Sequence, residues 1–284
     1  MSVVAERVAV PRRTSVASRV WAGVRRHALT VYAALAFVYL LLPIAVVVAF
    51  SFNDPVGRFN FVWQGFTLDN WANPFGFPDL RGAVVLSLEI ALVSSIVATV
   101  LGTLIALALV RYQFRGRGAT NLLIFLPMAT PEIVMGSSLL TLFLNYSVPL
   151  GFLTILLAHI MFNISFVVVT VRARLTGFDR HLEEAAMDLF ATPWTTFNRV
   201  TLPLIWPGIL AGGLLAFALS VDDFVITYLV SGADQTFPLF VWGAARVAVP
   251  PQINVIGSAI FLIAVLLMLT NTLVQWRRSP KGAA

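Results

Sequence analysis

Four carboxylates fall inside long apolar runs of this chain: Glu89, Glu132, Asp222 and Asp223. On insertion scales an acid at a lipid-facing helix centre costs about 2.5 to 3.5 kcal/mol, so all four are expected to face protein or water. Every Lys and Arg lies outside the apolar runs, which leaves these acids without a basic partner in the spans of the chain. Three arrangements are open: carboxylates lining a route for a cationic solute, acids hydrogen-bonded where helices meet, and acids kept neutral by a proton where water is excluded. Glu132 carries a further signal, because Pro127 and Pro131 in Leu126-Pro127-Met128-Ala129-Thr130-Pro131-Glu132 each remove a backbone donor. The freed carbonyls need partners away from lipid, which predicts a broken helix lining a cavity. Asp222 and Asp223 sit about 100° apart around a helix, so one is expected to line the path while the other bonds backbone.

The elements that position these acids are membrane spans. With 284 residues, 59% hydrophobic, 11% charged and a mean hydropathy of +0.89, the chain is more apolar than soluble domains. A span needs about 20 apolar residues. Six stretches reach that length: 28–50, 83–110, 120–144, 150–171, 207–230 and 253–276. The domain reading is a basic tail over 1–27, a six-span domain over 28–276 with a long loop at 172–206, and a tail over 277–284. Of 19 Lys and Arg, only Arg58, Arg81 and Arg246 fall on one side, so both termini and the 172–206 loop are expected in the cytoplasm. The 28–50 run exceeds a signal-peptide core of roughly 7 to 15 residues and predicts an uncleaved anchor.

Several chemistries are excluded. The chain has no cysteine and a single lysine, Lys281, so disulfides, thiolate metal sites and a phosphate loop of the G-x4-G-K-[ST] type cannot be built. Neither a catalytic set nor a metal-ligand set emerges. The net charge of +6 punctuates apolar runs instead of gathering on a soluble face, which argues against nucleic acid. Trp63 and Trp71 in the first external loop suit interfacial anchoring, with an external partner as the alternative. Gly208 and Gly212 predict close helix packing, and His159 and Met161 are expected to be packing residues.

In the 172–206 loop, Arg180, Glu183, Glu184 and Asp188 alternate with Leu182, Ala186, Leu189 and Phe190 at helical spacing. Asp179 is expected to cap this amphipathic helix, and Thr192-Pro193 to open a second one. A helix-turn-helix protruding from the membrane follows, placed to transmit motion from a soluble partner.

Residues Glu184-Ala185-Ala186-Met187-Asp188-Leu189-Phe190-Ala191, then Phe197-Asn198-Arg199-Val200-Thr201-Leu202-Pro203-Leu204, resemble the E-A-A-x3-G motif and I-x-L-P tail of ABC importer permeases. The stretches 126–136, 166–172 and 219–227 resemble spermidine/putrescine permeases, and are most similar to the second of their two permease subunits. The resemblance implies an all-α type I importer permease fold with a cytoplasmic coupling helix, in the bacterial inner membrane. It implies a heterodimer with a similar permease, two copies of a cytosolic ATPase and an external solute-binding protein. ATP and Mg would then belong to the ATPase, with no cofactor on this chain and no catalysis by it. Glu183, Glu184, Ala185, Ala186, Asp188, Leu189, Phe190, Ala191, Arg199 and Pro203 would make the ATPase contact. Phe190 departs from the family glycine, and a bulky side chain does not readily adopt positive φ, which leaves the geometry of the turn and its docking fit open. Glu89, Glu132, Asp222 and Asp223 would line the pathway, with Tyr228 and Trp242 offering aromatic faces to ammonium groups or methylenes. The alternatives are a permease for another small organic solute, an ion-coupled secondary transporter, and a non-transporting scaffold or receptor.

Overall fold

The computed structural model of the chain describes residues 16–278, so the parts of the two expected tails at 1–15 and 279–284 lie outside the described residues. Regular structure is helical, and an isolated β-bridge joins Asn53 to Phe66. Helices α1 (Val16–Phe50), α2 (Asp69–Ala72), α3 (Pro78–Arg111), α4 (Arg117–Ala129), α5 (Glu132–Asn145) and α6 (Phe152–Thr176) come first. Then follow α7 (His181–Asp188), α8 (Pro193–Thr196), α9 (Leu202–Asp222), α10 (Val225–Val230), α11 (Phe237–Val247) and α12 (Pro251–Arg278). Four stretches are long and apolar enough to cross a bilayer: His27–Phe50, Pro78–Arg111, Phe152–Thr176 and Pro193–Asp222. The α4–α5 pair passes the same test only together, and it is bent by 109°.

The chain divides into two compact units. One holds α1, α2, α12 and the first long loop. In that loop the side-chain amide of Asn53 donates to Asn60 Oδ1 at 2.6 Å and to the Val62 carbonyl at 2.8 Å, and its own oxygen accepts from Gln64 N–H at 2.8 Å. Asn70 closes the knot on the Asn53 carbonyl at 2.8 Å. Trp71 is tied into this unit, stacked on Phe52 at 5.5 Å and donating to Ser51 Oγ, whereas Trp63 stays half exposed.

The second unit, residues 75–249, is built on α3, α6 and α9 packed together. Its core joins Ala98, Ala106 and Leu109 of α3 to Val167, Val168 and Val171 of α6 and to Ile205, Ile209 and Ala216 of α9. Small residues set the helix spacing. A Cβ on Gly102 would stand 2.7 Å from Val167 Cγ1, and one on Gly208 would stand 2.7 Å from Arg174 Cβ. The expectation of close packing at Gly208 and Gly212 therefore holds, with α6 as the partner helix.

Three expectations change. The fifth helix does not start at Pro207: α8 runs through a π-helical turn at Phe197–Thr201 straight into α9, where Leu202 N–H bonds Phe197 O five residues back. Nor does it reach Val230, because the chain leaves the helix after Asp222 and restarts at Val225. Residues 237–247, expected as external loop, form α11. From the Gly102 contact, Gly102→Ala should lower the melting temperature of the detergent-solubilised protein, the overpacking cost of about 1 to 3 kcal/mol exceeding the gain in helix propensity. Gly82→Ala, whose Cβ meets nothing within 4 Å, should leave it unchanged or raise it.

Candidate functional site

The first broken helix lies where the prolines predict it. Thr130, ahead of Pro131, is extended at ψ 132°, as a residue before proline prefers, and Pro131 opens α5 with Glu132 in its first turn. A carboxylate there faces unpaired N–H groups at the positive end of a helix. Gly136, one turn on, lets α5 lie close against Ile226 and Leu229 of α10. Glu132 thereby comes within electrostatic reach of Asp222 and Asp223.

The second break is made by Asp223. Its backbone is extended at φ −62° and ψ 122°, and its Oδ2 accepts Thr227 N–H at 2.8 Å and Thr227 Oγ1–H at 2.7 Å. The side chain therefore caps the restart of the helix, as acids do at helix N-termini. Its partner is His159 of α6, whose Nε2 stands 3.3 Å from Asp223 Oδ2. The acids are thus not without a basic group among the spans: a histidine supplies what a count of Lys and Arg misses. His159 bonds Ser220 Oγ through Nδ1 at 2.6 Å and Thr227 Oγ1 through Nε2 at 2.9 Å, so it is more than packing. Asp222, the last residue of α9, is exposed and accepts no hydrogen bond from another described residue.

Tyr228 and Trp242 meet through a ring that was not singled out from the sequence. Phe224 stacks on Tyr228 at 5.6 Å and tilts against Trp242 at 5.3 Å. One face of Trp242 is covered by Arg246, with the guanidinium 4.7 Å from the ring centre. Glu89 sits on an exposed position of α3, and among the described residues no hydrogen bond or ion pair joins it to the other acids. An apolar groove of about 520 Å³ between α3 and α9 has no charged side chain in its lining.

In the 172–206 loop, the N-cap position of α7 is Arg180, with Asp179 one residue ahead accepting His181 N–H on Oδ1 at 3.0 Å. Thr192 caps α8 by accepting Thr195 N–H at 3.3 Å, so Thr192-Pro193 opens the second helix as expected. Helix α7 ends with Phe190 at φ 63°, held by Phe190 N–H to Met187 O and Ala191 N–H to Ala186 O. This is the Schellman turn a glycine would make, so Phe190 does adopt positive φ and the turn geometry left open by the sequence is that of the family motif. Two hydrogen bonds enforce the left-handed backbone against roughly 1 to 2 kcal/mol of strain. Phe190 is 97% exposed and Leu189 82%. Glu184, Ala185, Asp188, Arg199 and Pro203 are exposed, and Ala186 and Ala191 half-buried. Glu183 points inward instead, paired with Arg111 at the end of α3 and accepting from Thr201 ahead of α9. His181 is held above its ordinary value of 6.5 because the Glu184 carboxylate accepts a hydrogen bond from its ring and the Asp179 charge favours the protonated form.

Residues 98–277 match the family described as binding-protein-dependent transport system inner membrane component. The chain belongs to this family. It is 38% identical over 247 residues to the spermidine/putrescine transport system permease protein PotC of Escherichia coli, covering 87% of this chain and 92% of that protein. It is 39% identical over 234 residues to the putrescine transport system permease protein PotI of the same species, covering 80% and 83%. Among solved structures it is similar to a chain of a bacterial ABC transporter that imports the acidic polysaccharide alginate, with a TM-score of 0.66, 15% identity and coverage of 92% and 100%. A structure of the alginate transporter in complex with its pentasaccharide-bound periplasmic protein matches with a TM-score of 0.63, 15% identity and coverage of 93% and 100%. The fold is that of type I ABC importer permeases, and the family places the chain as a multi-pass inner-membrane subunit.

Sequence reasoning missed His159 and Phe224. A usable signal was the i, i+4 spacing of Phe224 with Tyr228. None existed for the pairing of His159 with Asp223, which are far apart in sequence. The inward turn of Glu183 separates it from Glu184: Glu183→Gln should lower the melting temperature, losing about 1.5 to 3 kcal/mol of charge-assisted bonding, and Glu184→Gln should not. Differential scanning fluorimetry of the two variants checks this.

Proposed function

We propose that the chain is the membrane subunit of an ATP-driven importer that carries a polyamine such as spermidine or putrescine into the cytoplasm. The observation that carries this reading is the meeting of two interrupted helices at three acids. Glu132 opens α5, Asp222 closes α9, and Asp223 sits in the break. Unpaired carbonyls at the end of α9 favour a cation, and the exposed Asp222 carboxylate adds to that attraction. Phe224 and Tyr228 flank the break with ring faces suited to ammonium groups and methylenes. The relatives named for spermidine and putrescine transport support the same substrate class.

In this reading the chain spans the membrane six times with both termini cytoplasmic, and pairs with a similar permease. An external binding protein delivers the solute. Two ATPase subunits hold ATP and Mg, and they dock on the exposed tip of α7, where Leu189, Phe190 and Glu184 face outward. Closure of the ATPase pair displaces α7. The stretch Pro193–Asp222 carries that displacement to the break, because it is helical without interruption. Glu183, bonded to Arg111, carries it to α3.

The test is ATP hydrolysis by the reconstituted complex with a panel of solutes presented on the binding protein. Spermidine or putrescine should stimulate it, and Asp222→Asn should raise the half-saturating concentration by roughly tenfold, the loss of one charge-assisted contact. Stimulation by neutral or anionic solutes alone would refute the polyamine reading.

A further inference from the structure

The hydrogen bonds around His159 form one chain with a direction. Thr227 Oγ1 gives its only proton to Asp223 Oδ2 at 2.7 Å. It therefore meets His159 Nε2, 2.9 Å away, as an acceptor, which places a proton on Nε2. That N–H also stands 3.3 Å from Asp223 Oδ2. On the other edge of the ring, Nδ1 is 2.6 Å from Ser220 Oγ, and Ser220 Oγ is 3.1 Å from Ser94 Oγ. The chain thus links α3 at Ser94, α9 at Ser220, α6 at His159, and α10 at Thr227, and ends on Asp223 in the break. His159 is 3% exposed and the Asp223 side chain 6%, so water does not compete for these bonds.

The two edges of the imidazole grip opposite sides of the discontinuity. Ser220 precedes it, Asp223 lies in it and Thr227 follows it. Asp222, adjacent in sequence to Asp223, is left exposed. We propose that His159 is a positioning residue of the solute pathway, clamping the α9–α10 break from both sides so that Asp223 turns inward while Asp222, Phe224 and Tyr228 are presented to the passing solute. The proposal rests on the pathway reading above for its consequence, but the clamp itself is independent of which solute moves. A ring with polar atoms on both edges is required: leucine fills the space but releases Ser220 and leaves the Asp223 carboxylate short of a donor, whereas glutamine keeps one donor and one acceptor.

The chain contains no cysteine, so one introduced thiol reports on the clamp. Ile226 is fully buried on α10, just past the break. In the assembled transporter, Ile226→Cys should resist a water-soluble cationic thiosulfonate reagent. Adding His159→Leu should speed its modification by about tenfold or more, and adding His159→Gln should keep it largely protected. In solute-stimulated ATP hydrolysis, His159→Leu should raise the half-saturating concentration more than it lowers the maximum. His159→Leu combined with Asp223→Asn should be no worse than His159→Leu alone. If His159→Leu fails to assemble, Ser220→Ala takes its place and should speed the modification, with His159→Gln again largely protected. Equal protection of the thiol in every assembled background, or fully additive effects of His159→Leu and Asp223→Asn, would overturn the clamp. Absence of polyamine stimulation in the unmodified complex would instead remove the pathway reading, and the thiol result would still decide the clamp.

Discussion

A backbone that leaves the helix inside a membrane must find protein partners for the groups it frees, and the break after Asp222 does so through side chains. Asp223 caps the restarted helix with one oxygen, and His159 and Thr227 converge on that oxygen. Everything distinctive about the site follows from this closure. With Asp223 turned inward, Asp222 is the exposed acid of the pair, and Phe224 and Tyr228 stack beside it. The packing of α5 on α10 at Gly136 then brings Glu132, from the other broken helix, within electrostatic reach.

The mechanical side rests on continuity of helix. An isolated loop helix would dissipate displacement, but α8, the π-helical turn and α9 form one unbroken rod ending at the acids. The inner face of α7 is fastened to the end of α3 by Glu183 and Arg111, and Arg180 adds a bond to the Val110 carbonyl at 3.1 Å. Its outer face is unfastened and carries Leu189 and Phe190. A retained left-handed residue with a large side chain at that tip trades backbone strain for apolar surface.

The sequence made the membrane class, the first broken helix and the amphipathic loop legible, because each is a local pattern: apolar length, two prolines four residues apart, and alternation at helical spacing. The turn at Phe190 stayed open in the sequence because propensity disfavours positive φ there, and the two hydrogen bonds that hold it decide the geometry. The start of the fifth helix was misplaced because the span was set by apolar length from Pro207, whereas the helix runs back through a π-helical turn into the more polar α8, with Pro207 inside it. The end was misplaced because nothing local distinguishes Asp223 as a cap from Asp223 as a mid-helix acid. Only the meeting of α6 with α10 decides it, and that is a tertiary fact.

The central claim is that the break presents an acid-lined surface to a cation. Its most direct test is the modification rate of Tyr228→Cys, as the one thiol of this chain in the assembled transporter, by a cationic and by an anionic thiosulfonate reagent. A cationic preference of about tenfold, reduced by Glu132→Gln and slowed by spermidine, is the predicted result. Equal rates with the two reagents, unaffected by spermidine, would contradict it.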